Sequence, residues 1–139
     1  MALAELATPK GDFPEGPEAL AMAMAGLMAF SRMAQVWRLS VDQQRRILGE
    51  LPKTTYYGLL KGKAHSVARD TLERLSLLMG IWANLEILLP NAEAASQWMQ
   101  RPHSAHAFGG ESPLAWMLYG NVASLVDVRR HLEAWRFGW

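Results

Sequence analysis

Four consecutive hydroxyl-bearing residues, Thr54, Thr55, Tyr56 and Tyr57, stand between Lys53 on one side and Lys61 and Lys63 on the other. Arg45 and Arg46 lie a short way upstream. Hydroxyls and free backbone N–H groups at the start of a helix donate to phosphate oxygens or base edges, and lysines neutralise backbone charge. The chemistry is that of gripping a polyanion, with Arg45 and Arg46 holding the flanking strand. The charge distribution agrees, although the net charge is only +1. Residues 32–74 carry nine bases against four acids, while the segments before and after are slightly acidic. A basic middle between acidic flanks is what a phosphate-facing module shows.

Other chemistry-bearing residues do not assemble. His103 and His106 have the spacing of a metal pair but no third ligand nearby, and the chain has no cysteine and only four histidines. Glu86, Glu93 and Glu111 fall singly rather than as an acid/base pair. No glycine-rich phosphate loop follows a strand, because no stretch alternates as a strand does. The expectation is a binding protein, not an enzyme, with no cofactor and no metal. The missing cysteine suits a reducing cytoplasm. The first sixteen residues lack the basic start and apolar run of a secretory signal. The most apolar run, Ala19 to Phe30, falls short of the ~20 residues a bilayer requires, so no membrane partner is expected.

The elements that must position the basic module are helices throughout. Residues 1–16 read as a flexible N-terminus and 17–38 as a helix opened by Pro17, running from Glu18 to about Trp37. That helix carries two apolar seams. One of them, through Met22, Gly26, Ala29 and Met33, is narrow and small enough to pack on a second copy. Residues 39–90 hold a helical hairpin and a long connecting helix. Ser40 and Gln43 form a capping-box pair, Gly49 stops a first short helix, and Thr54 caps a second that Gly62 closes. Ser66 caps a long helix reaching about Leu89 before Pro90. Residues 91–139 read as short helices opened at Asn91, Ser112-Pro113 and Val122. A capped helix, a glycine-containing turn and a second capped helix form a helix-turn-helix, the geometry that lays one helix in a DNA major groove. Gly58 stands within the second of those helices, where a polar side chain is the usual occupant.

Trp82, Trp98 and Trp116 occupy apolar helical positions and read as core. Trp135 and Trp139 do not: with Arg136 and Phe137 they concentrate aromatic mass and a guanidinium in the last five residues. Tryptophan and arginine are the types most enriched at binding hot spots.

The order of these features resembles an antitoxin of the Xre/MbcA/ParS type. The resemblance rests on LPKTTYYGLLKG, on SVARDTLERLSLLMGIWANLEILLP, and on scattered C-terminal residues. These are Asn91, Ala95, Trp98, Pro102, Phe108-Gly109-Gly110, Ser112-Pro113-Leu114, Met117, Gly120, Val128, Arg129, Leu132 and Gly138-Trp139. It spans about residues 18–139. Two positions depart from the pattern: His103 stands where Asn is expected, and Gly58 where a polar residue is. The resemblance implies an all-α fold made of an N-terminal dimerisation helix, an Xre-like helix-turn-helix and a small C-terminal toxin-binding domain. It further implies a cytoplasmic homodimer that covers the active site of a cognate RES-domain, NAD-depleting toxin and represses its own operon. Phe108, Gly109, Gly110, Arg129, Arg136 and Trp139 are the residues expected to touch the toxin. Two other functions fit the residues alone: a stand-alone repressor whose C-terminal helices take a small molecule, and a protein adaptor that never meets DNA.

Overall fold

The computed structural model describes residues 13–103 and 108–138; residues 1–12 of the expected flexible segment lie outside them, and Phe13 packs against the core. Seven helices are defined among the described residues. They are α1 (Gly16–Val36), α2 (Val41–Ile47), α3 (Lys53–Leu60), α4 (Arg69–Leu88), α5 (Ala92–Gln100), α6 (Pro113–Met117) and α7 (Val122–Phe137). The all-helical expectation holds.

One buried cluster runs from Ala19 in α1 to Leu132 in α7. Its spine is α4, which packs most extensively on α7 and on α1. Helices α4 and α7 run in the same direction. Arg74 reaches Gly120 just before α7, Gly80 lies under Arg129, and Asn84 meets Arg136. Gly80 is needed there, because a Cβ on it would sit 2.6 Å from the Arg129 guanidinium.

Helix α1 starts at Gly16 with Pro17 in its first turn. At 21 residues it is long and apolar enough to cross a membrane by length and composition, so the shortness of its most apolar run decides nothing. Within the chain, its Ala19, Ala23, Leu27, Phe30 and Ala34 are buried. So are Met22, Gly26 and Met33, while Ala29 is half-buried. The chain itself therefore buries the seam expected to meet a second copy, through α4 with help from α3 and α5.

The caps behave as their chemistry dictates, with two exceptions. Ser40 Oγ accepts from the Gln43 N–H at 3.1 Å, and Gln43 Oε1 accepts from the Ser40 N–H at 2.9 Å. Asn91, Ser112 and Asn121 each accept from the N–H three residues on. Thr54, however, is inside α3 rather than its cap. Pro52 holds the N-cap position with φ −58°, and its carbonyl accepts from the Tyr56 N–H. A proline ring presets that backbone without a side-chain acceptor. Nor does Ser66 cap α4, which begins only after Ala68. Ala64 and Val67 pack on the core in between, and laying both down takes irregular chain.

Candidate functional site

The helix-turn-helix is braced from inside. Gly49 turns at φ +103°, and a Cβ there would meet the Asp70 carboxylate at 2.7 Å. Arg45 Nε donates to the Leu51 carbonyl at 2.7 Å and its Nη1 to Asp42 at 3.0 Å. Arg45 thus clamps the turn rather than presenting its guanidinium to a phosphate. Tyr56 is also redirected, with its ring 1% exposed and its hydroxyl donating to Gln44 Oε1 at 2.6 Å. Burial, then the neighbouring Tyr57, pushes its phenol up to about 12, so it stays a protonated donor. Tyr56 locks α3 onto α2 and does not face a ligand. Helical spacing could have flagged it, because Tyr56 and Leu59 share one face three residues apart.

What remains outward is coherent. Lys53, Thr54, Thr55 and Tyr57 are exposed on α3, and Lys61 and Lys63 are exposed just beyond it. Arg46 is also exposed, paired with Glu50 at 3.2 Å. A surface ion pair of this kind exchanges readily for a phosphate contact.

At the other end of the molecule the residues expected to meet a partner divide. Phe108 is fully buried, edge-on to Trp98 and 5.0 Å from His131. Arg129 is buried over Gly80, 3.7 Å from Glu133, with its Nε and Nη1 lacking hydrogen-bond partners among the described residues. Burial lowers its pKa, partly countered by Glu133. Arg129 is thus part of the α4–α7 packing and Phe108 of an aromatic cluster between α5 and α7, and neither forms a surface. Gly109 and Gly110 are exposed, at φ +60° and +81°. Arg136 is exposed too, donating to Asn84 Oδ1 at 3.3 Å with its guanidinium 4.6 Å over the Phe137 ring. Trp139 and His106 lie outside the described residues. Trp135 and Phe137, the neighbours of Arg136 in sequence, are 47% and 50% exposed, and Ile87 near the end of α4 is 58% exposed. Ile87 was missed because it falls within a long apolar sequence in which nothing local separates core from surface.

His131 is half-buried and stacked 6.1 Å from Trp98. Burial first, then His103, holds its pKa below the ordinary imidazole value. The folded chain therefore takes up this proton less readily than the unfolded chain. The stability contributed by the neutral ring is present above the ordinary value of ~6.5 and lost as pH falls below it. A His131→Gln variant is expected to show a flatter decline of Tm between about pH 7.5 and about pH 5.5 than the parent. Parallel declines would show that this histidine does not set the pH dependence.

The crevice among Trp82, Leu85, Leu89, Pro90 and Ala95 holds about 160 Å³. Ligand pockets run from roughly 300 Å³ upward, so it gives no support to a small-molecule effector site.

Comparison with known proteins divides the chain within α4. Residues 18–80 match the family model described as "Antitoxin Xre-like helix-turn-helix domain". Residues 84–138 match "Antitoxin Xre/MbcA/ParS C-terminal toxin-binding domain". A curated relative, "Uncharacterized protein y4oB" of Sinorhizobium fredii, is 40% identical over 114 residues, covering 82% of this chain and 86% of its own. No solved structure matches.

Proposed function

Since the chain belongs to the Xre/MbcA/ParS antitoxin family, we propose that it neutralises a cognate RES-domain, NAD-depleting toxin by covering the toxin's active site. It also represses its own operon through the helix-turn-helix, and it acts in the cytoplasm. The observation that carries this reading is the exposure of Trp135, Arg136 and Phe137 at the end of α7, on the segment that matches a toxin-binding domain. Aromatic rings and a guanidinium held ready by Asn84 suit a hot spot seated in a cleft. Gly109 and Gly110 add exposed backbone on the same domain.

Operator reading by a helix-turn-helix calls for two half-sites and hence a homodimer. With the Met22–Met33 seam buried, the dimer would close through the face α1 leaves outward, where Met28 is 73% exposed and Met24 and Leu60 flank it.

The test is co-expression with the product of the adjacent reading frame. Protection of the host, recovery of both proteins as one complex, and a gel shift of upstream DNA that weakens with salt are the expected results. Removing one phosphate-gripping lysine, as in Lys53→Ala or Lys61→Ala, should lower the salt slope by about one and weaken binding to all sequences alike. Failure to protect or to co-purify would overturn the antitoxin reading.

A further inference from the structure

Gly58 is a puzzle that the chain itself does not solve. It has ordinary helical backbone in the middle of α3, where glycine costs stability relative to alanine. Other glycines of this chain have internal reasons. Gly49 needs its positive φ and the room for Asp70, and Gly80 makes room for Arg129. A Cβ on Gly58 would meet nothing within 4 Å. The space it leaves is outside the protein.

That space lies on the outward stripe of α3. Tyr56 and Leu59 point into the core, so the opposite face presents Thr54, Tyr57, Gly58 and Lys61 at i, i+3, i+4 and i+7. Gly58 is thus a bare patch of helix backbone framed by two hydroxyls and a lysine. Exposed Lys53 and Lys63 stand at the two ends of the same helix. Cations at the margins and no side chain at the centre fit a polyanionic duplex whose groove floor comes up against the helix itself.

We propose that Gly58 is a specificity-determining position at which α3 seats directly on the base edges of the operator. The missing side chain lets the helix sit about one methyl layer deeper than an alanine would. Thr54 and Tyr57 then reach base edges that a raised helix would leave them short of, while the lysines, on long flexible stems, hold phosphates at either depth. This inference rests on the operator-binding reading and deepens it.

The experiment compares the parent with Gly58→Ala and Gly58→Gln, each alone and co-purified with the adjacent gene's product. Two fluorescent duplexes serve as probes: the DNA immediately upstream of the chain's own reading frame, and a shuffled duplex of equal length and composition. Gly58→Ala is expected to melt a few degrees higher, from helix propensity alone. It should lose about tenfold or more in affinity for the upstream duplex, the worth of one good base contact. Affinity for the shuffled duplex should change little, and Gly58→Gln should bind the upstream duplex more weakly still.

Gly58→Ala binding the upstream duplex as tightly as the parent would overturn the proposal. So would a lowered Tm, which would mean an internal structural role, or a changed oligomeric state with unchanged DNA affinity, which would assign the bare patch to a second copy. Parent protein that binds both duplexes equally has no specificity for Gly58 to determine, and this too counts against it. If the parent binds neither duplex in any form, the operator reading beneath the proposal fails first.

Discussion

Replacing Arg74 by alanine is expected to destabilise the fold by about 2–4 kcal/mol, the cost of stranding buried acceptors and opening a void. Its guanidinium is buried and spans three parts of the chain. Nε donates to Asp70 Oδ2 at 2.8 Å within α4, Nη2 donates to the Gly120 carbonyl at 3.0 Å, and Nη1 makes a longer bond of 3.5 Å to the Ile47 carbonyl. Those two carbonyls belong to the turn before α7 and to the end of α2, so one side chain ties the helix-turn-helix to the C-terminal helices. Arg74→Lys keeps the charge but cannot serve three acceptors in a fixed fork, and should lose roughly half as much. Asp70 is half-exposed, so Asp70→Asn is expected to cost under about 1 kcal/mol. Urea unfolding of the three variants gives the ranking. Arg74→Ala within about 1 kcal/mol of the parent would show that the junction is not held by this residue.

The local chemistry of this fold was readable in advance where the determinants are local. Ser40 with Gln43, and Asn91 and Ser112, cap helices as their side chains allow, because a cap needs only residues three apart. Arg74 was not readable as a strut, since its acceptors lie 27 and 46 residues away. The same limit applies to the binding surfaces. Periodicity identified the seam of α1 through Met22, Gly26 and Met33 but not that the chain's own helices would bury it. Tyr56 and Tyr57 are chemically alike neighbours, and a 100° step along α3 puts one in the core and the other outside. Arg129 and Arg136 sit seven residues apart on α7 and part company for a similar reason. The missing side chain of Gly80 receives the first, whereas the second meets α4 at Asn84, near its solvent-exposed end. A residue's type set what it could contact; the packing partner decided whether it faced inward.

That division separates the two ways the C-terminal domain can fail. Trp135→Ala combined with Phe137→Ala is expected to abolish neutralisation in the co-expression assay while lowering Tm by less than Phe108→Ala does. Both rings are about half exposed and Trp135 also lies 6.4 Å from Trp98, so truncating them should cost about 1–3 kcal/mol of stability, less than removing a fully buried ring. Against a partner the same rings would be desolvated anchors, each worth about 2 kcal/mol or more, and losing both weakens binding by roughly a thousandfold. Arg136→Ala should give a smaller loss, since it removes the guanidinium but leaves the Phe137 ring. Phe108→Ala is expected to fail differently. Fully buried among Trp98, His103 and His131, it should cost about 3–5 kcal/mol of stability, and any loss of protection would follow the fall in folded protein. Measuring soluble yield and Tm beside host survival distinguishes the two. Full protection by the Trp135/Phe137 double variant at normal expression would move the partner surface away from the end of α7, with Gly109 and Gly110 the next exposed backbone to probe.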